Sequence, residues 1–397
     1  MEGTVKSTRN ELRCHNTECI KETLNTVLQL YVAILAKDID EIIDVLPHIF
    51  LVIGSLTKFG NIFLNKERVR TDYFKASTVY YTYFLLQIKI LLDRIVRDWK
   101  TMGSELHVLD EITATGYRLA HLYRVTLLTF TMIFNYIPLI PPTLDIILPR
   151  NESRPRHQLF QVNYVFFDAD DHFIFTYLHM FWAGSLTVFV VVTVDSLYML
   201  IIHHASGLFD VCGYQVEMAC REEKVKDAMF KQCLITHHKA LEFFNLLQAC
   251  SQSMNLLLVG MNMLLISTTG VQVKISLAIK HIEAHTLFSQ IILYMDRPLD
   301  SVRFVLFFLG EHFHLYIISL LGQIVLNHSL LLPEKIYGSN WDDIPIKFQK
   351  LLFKMIIRCS RPCILSAGGL YDMNMENYGK AVKACMSYFT MFLSMRE

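Results

Sequence analysis

The feature that most constrains this chain is a succession of apolar stretches, each about as long as a lipid bilayer is thick. A helix rises about 1.5 Å per residue and the hydrocarbon core is about 30 Å deep, so one crossing takes roughly 20 apolar residues. Seven stretches reach or approach that length: residues 46–64, 76–92, 125–148, 173–202, 243–270, 304–326 and 366–395. Lipid offers no partner to backbone N–H and C=O groups, so such stretches must be helical. Composition agrees, with 53% hydrophobic residues against 19% charged. The expected fold is all-α: a polytopic membrane protein of about seven transmembrane helices. Residues 76–92 are the least apolar, carrying Lys89 and several hydroxyls, and the apolar run 24–36 is short for a span.

Orientation follows from the basic residues between spans. The loops 93–124, 203–242 and 327–365 hold twice as many Lys and Arg as the alternate set 149–172, 271–303 and the tail after Met395. The richer set belongs inside, which puts the N-terminus inside and the C-terminus outside. The sequon Asn151-Glu152-Ser153 then falls outside. The N-terminal 21 residues are polar and hold no apolar core for a cleavable signal.

The organisation expected is a cytosolic N-terminal segment, 1–45, with a short or incomplete first helix; membrane helices within 46–202; a cytosolic helical loop, 203–242; two further membrane helices, 243–326; a cytosolic segment, 327–365; and a last helix, 366–397. Within and beyond the first of these loops, 216–247 reads as helix, entering the membrane from below. Residues 345–357 read as an amphipathic helix, with Phe348, Leu351, Leu352 and Met355 on one face and Lys347, Lys350 and Lys354 on the other.

The polar residues do not converge as catalysis requires, so no enzymatic activity, metal or cofactor is expected. The nine cysteines include no CxxC pair, and Cys14 with Cys19, or Cys359 with Cys363, lack a second pair to complete a metal site. His203-His204, His237-His238 and His281 with His285 likewise lack a third ligand. Charges inside spans are more informative, because each is costly in lipid and turns toward protein or water. Asp195, Glu311, Lys380 and Lys383 are such charges, and both a packed polar network and a direct role fit Asp195 and Glu311.

In the last stretch Lys380, Ala384, Ser387 and Met391 fall at spacings of four, three and four, on one side of a helix. Small and polar residues ending in one large apolar side chain fit a water-filled path with a hydrophobic constriction. They also fit a helix packing small residues against a neighbour. Aromatic and methionine residues crowd the other spans: Phe130 and Phe134; Tyr177, Met180 and Phe181; Phe308 and Tyr316. They could wall an apolar pocket for a small volatile ligand, or form ordinary core and interfacial belts.

Several of these segments resemble one family. Thr193-Val194-Asp195-Ser196-Leu197, His204-Ala205-Ser206-Gly207-Leu208-Phe209 and Gly213-Tyr214-Gln215 are similar to the end of the fourth helix and the following loop of insect odorant receptors. Tyr337, Trp341, Pro345, Arg358, Arg361-Pro362, Leu365, Ala367-Gly368 and the run Lys383-Ala384-Cys385-Met386-Ser387-Tyr388-Phe389-Thr390 resemble that family's seventh-helix signature, in a hymenopteran-like form. The resemblance implies a plasma-membrane, multi-pass, odorant-gated non-selective cation channel of olfactory neurons. In it an odour-tuning subunit joins a shared co-receptor subunit in a tetramer, around a pore lined by the last helix; membrane helices 46–202 would form the ligand-binding part, and the cytosolic helical loop 203–242 and segment 327–365 the anchor between subunits. Met391 would then stand at the gate, with Ser387 and Thr390 beside it. The family passes almost directly from a sequence like Asn65-Lys66-Glu67 to one like Leu92-Asp93-Arg94, so residues 73–92 read as an insertion.

Two rival readings share the helical span pattern. In a G-protein-coupled receptor, a motif like Asp93-Arg94-Ile95 belongs after the third span, an NPxxY sequence ends the last, and the N-terminus lies outside. A gustatory receptor shares the inverted topology, but would end in Thr-Tyr, five apolar residues and Gln-Phe, where this chain has Ser387-Tyr388 and then Ser394-Met395.

Overall fold

The computed structural model describes residues 72–149, 154, 156, 158–159, 172–221, 227–283 and 296–394. The segment 1–45, the stretch 46–64 and the sequon at Asn151 lie outside the described residues. In chain order the elements are helices α1 (Asp72–Thr101) and α2 (Leu106–Tyr136), a 3₁₀ turn (Ile137–Leu139), then α3 (Ile140–Ile147), α4 (Phe173–Arg221), α5 (Asp227–Glu283), α6 (Asp296–Tyr337) and α7 (Ile346–Cys359). Strands β1 (Ser366–Ala367) and β2 (Tyr371–Asp372) and helix α8 (Met375–Ser394) complete it. Among the described residues four helical segments are long and apolar enough to cross a membrane: Leu106–Ile147, Phe173–Arg221, Asp227–Val273 and Val302–Tyr337. The more polar α1 takes in one further predicted stretch and α8 most of another, so the fold is the expected polytopic, mostly helical one.

The helices run far beyond the apolar stretches. α4 has 49 residues and α5 has 57, more than twice what a core of about 30 Å needs. Residues 203–215, read from sequence as a loop, are the uninterrupted continuation of α4. The loops predicted at 271–303 and 327–365 likewise give up residues to α5, which reaches Glu283, and to α6, which reaches Tyr337. Hydropathy marks where lipid ends. It does not mark where a helix ends, because a helix whose flanks are covered by protein keeps its hydrogen bonds.

That cover comes from an end bundle in which every residue of α4 from Ile201 to Gly213 is buried. Phe209, Cys212 and Val216 of α4 share a core with Phe230 and Cys233 of α5, Leu332 and Ile336 of α6, and Phe348, Leu352 and Met355 of α7. The rings of Phe230 and Phe348 stack at 4.5 Å. Two glycines let α2 and α4 close on one another: a Cβ on Gly116 would stand 2.5 Å from the His203 ring, and one on Gly207 would stand 2.6 Å from Leu109 Cδ1. The amphipathic pattern of α7 is as expected, with Phe348, Leu352 and Met355 buried, Leu351 half-buried and Lys347, Lys350 and Lys354 exposed.

Prolines punctuate the stretch 125–148. Pro138 lies in the 3₁₀ turn, and Pro141 and Pro142 open α3. Lacking N–H groups, they tolerate first-turn positions and interrupt a longer ladder. Asp145 of α3 is held by the buried Arg154, whose Nη1 donates to Oδ1 at 2.5 Å.

The last apolar stretch, read as helical from residue 366, opens instead with an antiparallel hairpin, Ser366 opposite Asp372. Gly368 and Gly369 turn it at φ of 65° and 71°, a region that L side chains avoid. Gly368 N–H donates to Gln252 O and Gln248 bonds both backbone groups of Ser366, which ties the hairpin to α5. On the other side the Met373 carbonyl lies where a Cβ on Gly322 of α6 would sit. α8 starts only at Met375, whose N–H is taken by Gln323 Oε1 at 3.1 Å.

Candidate functional site

Five of the seven aromatic and methionine candidates gather where α2, α4 and α6 meet. Phe134 of α2 faces Phe307 of α6 with ring centroids 6.4 Å apart, and Phe130 Cδ2 lies 3.7 Å from the Cβ position of Gly310. On α4, Tyr177 stacks between Phe173 and Phe181, at 6.2 and 6.1 Å, and Met180 is buried. The Tyr177 hydroxyl donates to Asn135 O at 3.1 Å, and Asn135 Nδ2 donates to Ser185 Oγ at 2.9 Å, so polar groups stitch α2 to α4 among the rings. Neither Asn135 nor Ser185 stood out in the sequence. The signal was available in Asn135, a lone amide at the apolar end of α2 just before the prolines.

The other two candidates turn elsewhere. Phe308 packs on His312 at 4.2 Å and reaches Gly270 of α5. Tyr316 meets Tyr378 of α8 edge-on at 5.7 Å. Both belong to the boundary between α6 and the last helix, which residue type alone does not distinguish from a pocket wall.

Farther along the bundle a polar network joins four helices. Tyr123 of α2 donates to Asp195 Oδ2 of α4 at 2.5 Å, and His314 Nε2 of α6 lies 3.1 Å from the same oxygen. Asn262 Nδ2 of α5 faces His314 Nδ1 at 2.5 Å. An acceptor at Nδ1 and a donor at Nε2 require one neutral tautomer, so the chain runs Asn262 to His314 to Asp195. Of the two readings open for Asp195, the structure gives the packed network, while Tyr123, His314 and Asn262 went unmarked in the sequence.

In the end bundle Asp210 of α4 takes Lys335 Nζ at 2.6 Å, with His328 Nδ1 at 2.7 Å. Burial pushes its carboxyl up, but the His328 and Lys335 bonds outweigh this and hold it below the usual carboxylate value. His204 lies 3.1 Å from Asp98 of α1, and His237 faces the Cys359 thiol at 3.6 Å. Burial holds His237 down at about 4 and pushes the Cys359 and Cys363 thiols up to about 11 and about 12, which keeps these groups neutral and unreactive. Residues 284–295, and His285 with them, lie outside the described residues.

α8 has two unlike flanks. Ala381 and Cys385 are buried against α5, where Ser267 Oγ donates to Cys385 O at 3.3 Å, and Tyr378 and Phe389 extend that flank. The opposite flank carries the spaced set from the sequence. Lys380, Ser387, Thr390 and Met391 are exposed, Met391 by 47%, and Ala384 is half-buried. Lys380 Nζ is occupied by Glu376 at 2.6 Å, and the Thr390 hydroxyl is turned back to Ser387 O at 2.8 Å. Beyond Lys383, which is also exposed, the flank is an uncharged, hydroxyl-bearing track to the thioether of Met391.

Comparison with known proteins places this geometry. The 7tm Odorant receptor family model matches residues 38–386. Odorant receptor Or2 of Anopheles gambiae is 34% identical over 67 residues, a match that spans 17% of this chain and only 18% of that relative. Among solved structures, the insect olfactory receptor OR5 of Machilis hrabei in complex with eugenol aligns with a TM-score of 0.71 at 12% identity, over 98% of this chain and 90% of that one. The same receptor in a second structure gives 0.68 at 11%, over 96% and 88%.

Proposed function

Because the chain belongs to the 7tm odorant receptor family, a multi-pass membrane receptor family and not an enzyme family, we propose that it is the odour-tuning subunit of an odorant-gated, non-selective cation channel. It would act in the plasma membrane of insect olfactory neurons, in a tetramer with a shared co-receptor subunit. The observation that carries the reading is the division of α8. One flank is bound to α5, and the other is a polar track closed by Met391, open to solvent in the single chain. A conduit shared between subunits needs such a flank, since hydroxyls hydrate a passing cation and one large apolar group dewets the path when it points inward.

The odorant site in this reading is the aromatic cluster of Phe130, Phe134, Tyr177, Met180 and Phe181, with Asn135 and Ser185 as its polar groups. An odorant there favours the open channel by binding that state more tightly than the closed one. The end bundle built on α7 lies in the cytosol and anchors the subunits to one another, with the N-terminus inside and the C-terminus outside.

The test is co-expression with an insect co-receptor subunit in a cell line, recording current during an odour panel that includes eugenol. Odour-evoked cation current that needs both subunits supports the reading. G-protein signalling without ionotropic current refutes it.

A further inference from the structure

We propose that Gly270 of α5 is the opening through which the odorant site acts on the last helix, by letting the rings of Phe308 and Phe389 close on the same point of bare backbone. The inference rests on the reading above, that α8 borders the conduit, and adds how movement reaches it. A Cβ built at Gly270 would stand 3.2 Å from Phe389 Cδ2 and 3.5 Å from Phe308 Cε2. The edges of one ring from α6 and one from α8 therefore converge on a single point, at the place where α5 offers no side chain.

The glycine is not there for its backbone. Gly270 lies within a helix, and among the described residues the glycines at positive φ are Gly368 and Gly369. Glycine inside a helix costs stability relative to alanine, so what position 270 gains is space. Gly260, in the same helix, has nothing within 4 Å of its Cβ position, which makes the convergence at Gly270 a property of that site.

The geometry on either side suits a transmitting contact. Phe308 is the candidate pocket residue that turns from the aromatic cluster toward α5, next to Phe307, which faces Phe134. A shift of α6 that follows ligand contact at Phe307 therefore carries Phe308 with it. On α8, Phe389 and Met391 lie about 200° apart at about 100° per residue, on opposite flanks. Pressure on the Phe389 ring is delivered to the back of the helix whose front holds Met391. Both rings are half-buried, and a contact this close on one side passes on part of any displacement.

The experiment reads α8 directly and needs no known odorant. A cysteine is placed on the exposed flank (Ser387→Cys) in the complex with the co-receptor subunit. Its modification by an external, charged methanethiosulfonate reagent is timed with no ligand present. Gly270→Ala brings a methyl group within 3.2 Å of Phe389 and should change the rate by on the order of threefold or more. In a Phe389→Leu background the same substitution should change it little, because the ring it presses on is gone. Gly270→Ser serves as a second probe of equal reach should the alanine variant reach the surface poorly, and surface biotinylation normalises every rate. An equal effect of Gly270→Ala with and without the Phe389 ring, or no effect in either, overturns the coupling while leaving the conduit reading intact. Should Ser387→Cys react only once Met391→Ser opens the path, the rates are compared in that background; failure to react there too overturns the conduit reading and the coupling with it.

Discussion

The hydroxyl of Tyr123 donates to Asp195 across 2.5 Å, in a pair separated by 72 residues in the chain and sealed from solvent. The same carboxylate oxygen meets His314 at 3.1 Å. A carboxylate on an apolar helix is tolerated only when its oxygens are occupied, so Asp195 fixes α2 and α6 against α4 at one depth.

Removing that acceptor strands two buried donors. Asp195→Ala should cost about 2–5 kcal/mol, Tyr123→Phe about 1–2 kcal/mol, and Asp195→Asn should fall between them because the amide keeps one acceptor. Thermal unfolding of the detergent-solubilised protein, with the double variant Asp195→Asn/Tyr123→Phe completing a cycle, checks it. Additive losses would mean that the two side chains do not act as a pair.

How much of this was legible beforehand differs by feature. Apolar length located the four helices long and apolar enough to cross a membrane, and the spacing of Phe348, Leu352 and Met355 located the buried face of α7, because both are local properties of the chain. The ends of α4, α5 and α6 were not legible. Residues such as His203, His204 and Asp210 look like loop residues by type, and become core only when α2, α6 and α7 surround them. The hairpin before α8 was hidden by its own apolar residues, although Gly368-Gly369 carried a turn signal. The partners of Asp195 lie on three other helices, and nothing in a single sequence pairs them.

Met391 is the side chain to which the conduit reading assigns closure. Met391→Ser replaces a large apolar group with one that water wets, so the current in the absence of odorant should rise several-fold while expression at the surface stays unchanged. Whole-cell recording of the complex, normalised to surface label, measures it. Unaltered basal current and ion preference would remove Met391 from the gate.

α7 separates folding from assembly on its two faces. Phe348→Ala empties the stack on Phe230 and should cost about 3–5 kcal/mol, enough to abolish surface expression. Phe353 is 63% exposed and has Ile346 and Ile357 on the same face, so Phe353→Ser should leave the thermal stability of the chain itself within about 0.5 kcal/mol. If that face joins the subunits of the anchor, the serine variant should lower co-purification with the co-receptor subunit. Undiminished co-purification would place the interface elsewhere.

The Asp210 clamp predicts a pH dependence with a definite sign. Its carboxyl titrates below the ordinary value of 3.8 in the folded chain. Its stabilisation is therefore complete above that value and is lost as pH falls through the lower folded one. Asp210→Asn removes the charge that Lys335 and His328 share and should cost about 1–3 kcal/mol at neutral pH, toward the low end because Lys335 is partly exposed. Unfolding midpoints of the two proteins should stay separated by a constant gap between pH 7 and pH 5 and converge only below about pH 4. A gap absent at pH 7 would show that the pair contributes nothing to the contact between α4 and α6.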